Sequence, residues 1–268
     1  MAVHVINEAR RCLQCKKPLC RLAGCPAQTN IPEMIRLFLA GKSREAGAML
    51  FANNPMSVVC SLVCDHEAQC EGHCIQGRKG SPVQISSIEH YISDAYLDWA
   101  VLEREPAKHQ QVAVIGSGPA GITVAVRLAQ QGYDITIFER KDKIGGMMRY
   151  GIPEFRLPKS ILERYQTKLQ ALGIQIRPNT TIGEALHLDD LFADGFDAVF
   201  IGTGAGLPRF QNIPGESLSG VYSANEFLTR CNLMKAYRAD SATPILHARR
   251  VAVVGGGNVA MDAARTAL

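Results

Sequence analysis

Two groups of cysteines hold the densest chemistry in this 268-residue sequence. The first reads Cys12-x2-Cys15-x4-Cys20-x4-Cys25-Pro26, and the second Cys60-x3-Cys64-x5-Cys70-x3-Cys74. Eight of the nine cysteines thus fall within the first 74 residues, and Cys231 stands alone. Three chemistries use such crowding. Iron–sulfur clusters need Cys thiolates, and a cysteine before a proline at the end of a run ligates the other cluster in two-cluster ferredoxins; Cys25-Pro26 has that form. Zinc suits four cysteines or three with a histidine, and His66 and His73 lie within the second group. A dithiol–disulfide couple at Cys12 and Cys15 is the third option, and it leaves six cysteines unused.

A second chemistry begins at Gly116-Ser117-Gly118-Pro119-Ala120-Gly121. These glycines sit between a β-rich run, Gln111–Gly116, and a helical pattern carrying Ile122, Val126 and Leu128. Bare glycines there permit a tight turn, close approach of backbone to a pyrophosphate, and close helix–strand packing. The helix N-terminus adds N–H donors and partial positive charge. Glu139, beside Arg140, ends a second strand 18 residues after Gly121, where a carboxylate takes a ribose hydroxyl. The bland alternative is a glycine turn in an ordinary α/β fold. Gly145-Gly146-Met147 would let backbone approach a planar cofactor with an apolar wall beside it, or is simply a loop. Gly202-Thr203-Gly204 ends a buried strand as a turn or as a second pyrophosphate-side contact. A second fingerprint, Gly255-Gly256-Gly257-Asn258, follows the strand-like run Arg249–Val254.

These groups constrain one another. Cys231 has no neighbouring cysteine, so a flavin at the first fingerprint has no local disulfide to reduce. An electron carrier beside it is useful, and zinc cannot change redox state. Iron–sulfur clusters are therefore the favoured reading of the cysteines. The alternative function is a zinc-stabilised nucleotide-binding module that acts in interaction without electron transfer.

The elements that must position these residues follow from period. Asn30–Gly41 predicts a helix with Asn30 and Glu33 as a capping box, Pro32 in the first turn and Gly41 as the stop. Ile85, Ile88, Ile92, Ala95, Tyr96 and Trp99 predict a second helix with one apolar side. The fold class is α/β: a helical cysteine domain over residues 1–105, a Rossmann-like dinucleotide-binding domain over 106–230, and the start of a second Rossmann-like domain over 231–268. The polar stretch 103–110 reads as the linker, 157–172 as a helix, and 175–177 and 196–204 as strands. A composition of 47% apolar and 20% charged residues is that of globular protein, and a formal charge of +4 gives no argument for nucleic acid or an anionic membrane. The N-terminus lacks a signal peptide's apolar core, and no run reaches the roughly 18 apolar residues of a membrane span, so the expected location is cytoplasmic.

Taken together, these strings resemble the family that includes the small subunit of NADPH-dependent glutamate synthase and the N-terminal part of dihydropyrimidine dehydrogenase. The resemblance spans nearly the whole chain. It includes both cysteine groups, the first fingerprint with Glu139, Gly151-Ile152-Pro153-Glu154-Phe155-Arg156-Leu157-Pro158, Ile213-Pro214-Gly215-Glu216, and Gly255-Gly256-Gly257-Asn258-Val259-Ala260-Met261-Asp262. It implies two 4Fe–4S clusters, FAD at the first fingerprint and NAD(P)H at the second, with electrons passing to a partner subunit or domain. By motif position Cys12, Cys15, Cys20 and Cys74 would hold one cluster. Cys25, Cys64 and Cys70, with Glu89 as an oxygen ligand, would hold the other, leaving Cys60 as a non-ligand. Ser61 and Asp65 stand where the family usually has glycine and proline. The family continues past the end of this chain and returns to the flavin with a closing segment. The expectation is a fragment that binds clusters, holds FAD weakly and oxidises little NAD(P)H.

Overall fold

Ile31, Met34, Ile35 and Phe38 recur at helical spacing, and they bury one side of α2 (Ile31–Leu39). The computed structural model describes residues 2–268. Gly41, at φ +76, ends the helix: its N–H donates to the Phe38 carbonyl at 3.0 Å while Lys42 N–H reaches Leu37 at 2.9 Å. The expected capping box does not form, since the Asn30 side chain makes no cap bond. Glu33 instead accepts two hydrogen bonds from Arg36, at 2.6 and 2.7 Å. A charged fork one turn away outcompetes a neutral backbone N–H for that carboxylate.

The chain divides into two compact units, Met1–Leu102 and Glu103–Leu268. The first also contains α1 (Ala2–Arg10), α3 (Ser43–Asn53), α4 (Ser57–Val63) and α5 (Ile85–Trp99). Its core includes Val5, Met34, Ile35, Leu50, Ile85, Ile88, Ile92 and Cys70, and Cys12, Cys20, Cys25 and Cys74 pack against the edge of it. The cysteine loops are therefore the margin of the core. On α5 the periodicity places Ile85, Ile88 and Ile92 inside as expected, whereas Ala95 is exposed and Trp99 is 42% exposed; Ser93 and Leu97 are buried in their stead. The reason is Tyr96, whose ring lies across Gly47 and meets Trp99 edge-on at 4.9 Å. Trp99 lies outside that ring, under the Arg44 guanidinium at 5.1 Å.

The second unit is built on a parallel sheet with strand order β3-β2-β1-β4, where β1 is Gln111–Ile115, β2 Asp134–Phe138, β3 Gln175–Arg177 and β4 Ala198–Ile201. Between them run α6 (Pro119–Gln130), the short α7 (Met147–Tyr150), α8 (Lys159–Ala171) and α9 (Leu188–Ala193). Ala113, Ile115 and Phe138 form one cluster with Leu191 and Phe196. The polar stretch 103–110 is tied to the α6–β2 turn. Arg104 donates to the Gly132 and Tyr133 carbonyls and pairs with Asp134 at 2.5 Å, and Lys108 N–H donates to Gly132 at 2.9 Å. After β4 come α10 (Ala224–Asn232) and α11 (Asn258–Thr266). Residues 249–254, expected as a strand, form none here. A strand exists by pairing its N–H and C=O groups with a neighbour, and among the described residues no strand runs beside this one. Val251 and Val254 consequently remain 58% and 76% exposed. Among the described residues, no single helix is long and apolar enough to cross a membrane.

A Cβ at position 47 would lie 2.5–2.7 Å from three atoms of Tyr96. Gly47→Ala therefore forces the Tyr96 ring off its stack, at a cost of about 1–3 kcal/mol. Denaturant titration of the first unit's helical signal measures it; a midpoint equal to that of the parent would refute the packing described.

Candidate functional site

In the first unit, Cys12, Cys15, Cys20 and Cys74 line one cavity of about 90 Å³, floored by Ile31, Ile35, Val83 and Ile85. Two chain segments meet to make it: Gln76 donates to the Arg11 carbonyl at 2.8 Å, and Arg11 donates to Pro82 O at 3.1 Å and Ser81 O at 2.5 Å. Cys20 opens a single wide turn, Cys20–Gly24, whose Gly24 has no room for a side chain, since a Cβ there would lie 2.7 Å from Gln69 O and 2.9 Å from the Cys70 Cα. Burial raises the Cys12 thiol, and the nearby Cys15 and Cys74 raise it further. Burial also pushes Cys20 up to about 11, again with Cys74, Cys12 and Cys15 adding to it. Four sulfurs that disfavour one another's charge want a positive partner at their centre. The donor set fits an iron–sulfur cluster, which takes thiolates and tolerates an apolar surround.

The second set lies between α4 and α5. Burial raises Cys70 to about 12, with Glu71, Glu89 and Cys25 as charged neighbours. Burial raises Glu89 to about 8, with Cys60 adding to it. Glu89 is 8% exposed and enters no ion pair among the described residues. A carboxyl in that condition is costly unless a cation or donor meets it. Cys60 and Cys64 share a hydrogen bond that lowers Cys60 and raises Cys64, and Asn54 donates to the Cys60 sulfur at 3.2 Å. Cys60 therefore lies against both Cys64 and Glu89. Cys64 feels both Glu89 and Cys70, so Cys25, Cys64, Cys70 and Glu89 share one neighbourhood. His73 Nδ1 lies 2.7 Å from Gln69 O, occupied by its own loop. Among the described residues, no three Cys, His, Asp or Glu side chains converge as the ligands of a single ion must.

Glu71 was not singled out by the sequence reading, and it anchors this region. Its carboxylate accepts from Ser86 N at 2.8 Å and Ser86 Oγ at 2.7 Å. It therefore caps the first turn of α5 from inside the second cysteine loop and fixes Cys70 and Cys74 relative to Glu89. The readable signal was an acid next to a cysteine, but its partner is 15 residues away.

In the second unit the glycine segments converge at the carboxyl ends of β1, β2 and β4, at the point where strand order reverses between β1 and β4. Gly116 has φ +95, and a Cβ on it would lie 2.5 Å from Gly202 O. A Cβ on Gly121 would lie 1.9 Å from Gly116 O, so the turn closes only with glycine. Gly118 caps α6, which begins with Pro119 and Ala120. Gly146, at φ +50, packs over Gly118, where a Cβ would lie 2.9 Å from the Gly118 Cα. Met147 is exposed beside it, Thr203 and Gly204 are exposed at the end of β4, and Arg140 reaches toward Gly206. A flat, glycine-walled platform with a helix N-terminus at its edge suits a dinucleotide.

Two findings here lay beyond the motif. Glu139 faces inward at 5% exposure: it accepts from Ser117 N at 3.0 Å, from Ser117 Oγ, and from Lys141 N at 2.9 Å. Ser117 Oγ in turn accepts from Gly145 N at 3.2 Å. The x position of the fingerprint therefore holds the acid at the strand end and the second glycine loop together. The string Gly151–Pro158 also acquires a partner. Arg156 pairs with Asp262 of α11 at 2.8 Å, and Arg265 lies over the Phe155 ring at 4.3 Å. Lys159 Nζ donates to the carbonyls of Met148, Ile152 and Leu157, at 2.6–2.9 Å, and burial lowers its pKa to about 8. At the second fingerprint Gly255, Gly256, Gly257 and Asn258 are exposed at the start of α11.

Residues 2–100 match the family described as dihydropyrimidine dehydrogenase domain II, 4Fe-4S cluster, and residues 110–268 match pyridine nucleotide-disulphide oxidoreductase. The chain is 37% identical over 264 residues to glutamate synthase [NADPH] small chain of Mycobacterium tuberculosis (strain CDC 1551 / Oshkosh), covering 96% of this chain and 53% of that one. It is 34% identical over 266 residues to the NAD-dependent dihydropyrimidine dehydrogenase subunit PreT of Escherichia coli O157:H7, covering 97% and 61%. The chain thus spans between half and two thirds of the length of these relatives. Among solved structures, Mycobacterium tuberculosis FprA in complex with NADPH superposes with a TM-score of 0.50 at 28% identity, over 60% of this chain and 36% of that one.

Ser117→Ala leaves the buried Glu139 carboxylate short of a donor, a loss of about 1–3 kcal/mol. The expected result is a lower denaturation midpoint of the second unit; an unchanged midpoint would remove Ser117 from its holding role.

Proposed function

Because the chain belongs to the pyridine nucleotide-disulphide oxidoreductase family and carries a 4Fe–4S domain ahead of that match, we propose that it is the electron-input module of an iron–sulfur flavoprotein. It works with a partner subunit or domain, in the cytoplasm. The observation that carries this reading is the company the glycine platform keeps. The only cysteine after residue 74 is Cys231, on the buried side of α10. No dithiol stands in the second unit to take electrons from a flavin, while eight thiols stand in the first.

When bound, NAD(P)H, FAD and two 4Fe–4S clusters would supply hydride uptake and one-electron transfer. The residues of this chain hold and tune them. Gly116, Gly118, Pro119, Ala120 and Gly121 admit the pyrophosphate of FAD to the α6 N-terminus, with Gly145, Gly146, Met147, Gly202, Thr203 and Gly204 as the surrounding walls. Glu139 keeps its loop in register through Ser117 and retains carboxylate lone pairs for a ribose hydroxyl. Arg140, exposed beside it, faces the same rim. Gly255, Gly256, Gly257 and Asn258 supply the corresponding start of a site for NAD(P)H. Cys12, Cys15, Cys20 and Cys74 hold one cluster; Cys25, Cys64, Cys70 and Glu89 hold the other. Such a cluster takes one ligand per iron, so its donors surround a cavity, as Cys12, Cys15, Cys20 and Cys74 do. The recipient of the electrons is a partner of the kind that glutamate synthase and dihydropyrimidine dehydrogenase subunits serve.

Anaerobic purification tests the reading. The expected product is brown, with about eight irons per chain for two clusters and an iron–sulfur electron paramagnetic resonance signal on reduction. A colourless protein carrying zinc would sink it. Within that protein, Cys70→Ser should lose about half the iron, whereas Cys60→Ser should keep all of it; equal losses would return Cys60 to the ligand set. Gly121→Ala, whose Cβ meets backbone and not a movable side chain, should abolish FAD retention while iron content stays at the parent level.

A further inference from the structure

The two cysteine sites differ in what surrounds them. Residues 9–32 and 72–88, which meet around Cys12, Cys15, Cys20 and Cys74, contain Arg10, Arg11, Lys16, Lys17, Arg21, Arg78 and Lys79 and no Asp or Glu. Of these seven, only Arg11 enters an ion pair among the described residues, with Glu8 at 2.7 Å. Arg10, Lys16, Lys17, Arg78 and Lys79 are exposed. Residues 45–77, which supply the second site's Cys64 and Cys70, hold Glu45, Asp65, Glu67 and Glu71 and no Lys or Arg. In a chain with 29 basic and 25 acidic residues overall, the loops 9–32 and 72–88 are a local basic excess, bounded in sequence by Glu8, Glu33, Glu71 and Glu89.

The same loops also expose apolar side chains. Leu13 is 60% exposed, Leu22 55%, Ile75 42% and Leu19 40%. Leu13, Leu19 and Ile75 line the same cavity as the four cysteines, with Lys17 between them. Leu22, which does not line that cavity, is exposed in the same loop as Lys16, Lys17 and Arg21. An apolar centre ringed by one sign of charge is the anatomy of a protein–protein interface, in which the centre supplies affinity and the ring steers and orients. A polyanion such as DNA would use the charges and leave the apolar centre idle.

We propose that this rim is the docking surface for a protein whose own face is acidic around an apolar centre, and that it is where the electron-accepting partner seats. The proposal rests on the electron-transfer reading above and adds to it the face used and the charge of the partner. The partner's acidic residues pair across the rim, its apolar centre covers Leu13, Leu19 and Ile75, and its redox group is brought to the first cysteine site rather than the second.

The test uses the full chain, purified anaerobically, with flavodoxin as the acidic probe and cytochrome c as the basic control, and binding is followed by biolayer interferometry at low and high salt. Flavodoxin should bind, cytochrome c should not, and affinity should fall at least tenfold between about 50 and 300 mM salt, where the screening length shortens by more than half. K16E/K79E should weaken flavodoxin binding at least tenfold, whereas R209E/R249E, an equal charge change in the other unit, should leave it within twofold. L13S/I75S should weaken it while keeping the salt dependence. No flavodoxin binding, or equal loss in both charge-reversed variants, overturns the proposal. So does a K16E/K79E variant that shifts the cluster midpoint potential but binds as the parent does, which would assign the rim to the cluster alone. Tighter binding to a short DNA duplex than to flavodoxin overturns it in favour of a nucleic acid. Iron content, measured on every sample, separates the two readings: a colourless parent protein refutes electron transfer whatever flavodoxin does.

Discussion

Crowded, half-buried thiols are the constraint on which the first unit depends. A domain of about a hundred residues leaves much of its surface unburied and has little margin for uncompensated polar groups. This one sets four thiols around a single apolar-floored cavity and buries a carboxyl beside four more. Burial raises the Cys12, Cys20 and Cys70 thiols, so these three favour their protonated forms until a positive centre is bound. The helices serve that arrangement more than it serves them. Gly24 lets the first loop press on the second, and Glu71 clips the second loop to α5. Metal binding and folding are in this sense one equilibrium: whatever neutralises the thiols also stabilises the packing that gathers them.

The second unit rests on a different constraint, the approach of backbone to backbone. Gly121 to Gly116, Gly116 to Gly202 and Gly146 to Gly118 each close a gap that a methyl group would fill. These contacts draw three separate segments to the carboxyl end of one parallel sheet. Ser117 and Glu139 then fasten them by hydrogen bonds in a region where neither side chain sees much solvent. The platform is shaped before any ligand arrives, which lowers the ordering cost of binding.

How far the sequence revealed this differs by residue and for physical reasons. The strands at 111–115 and 134–138 and the helices at 31–39 and 85–99 follow from apolar period, and the glycine platform follows from spacing, because each is a local pattern. The inward turn of Glu139 was not legible, since an acid at a strand end looks the same whether it faces a ribose or its own loop. Nor was the grip of Glu71 on Ser86, because its partner lies beyond any local window. Ala95 and Trp99 were misplaced for a related reason: Gly47 on another helix makes room for Tyr96, and period alone does not see a neighbour's missing side chain. The run 249–254 has strand composition, yet composition supplies no partner strand to bond with.

The Arg156–Asp262 pair shows how the two fingerprints come to depend on each other. Arg156 belongs to the string that follows the Gly145-Gly146 loop, and Asp262 lies one turn into the helix that the second fingerprint opens. Asp262 is 4% exposed, and Arg156 supplies the partner that a buried carboxylate needs. Lys159 holds the rest of that string by three carbonyls, which fixes where Arg156 can reach. The position of α11 is thus set by this ion pair and by its packing on α10, and not by a strand of its own. The string Gly151–Pro158 is therefore the element that ties the helix opened by the second glycine fingerprint to the platform built around the first.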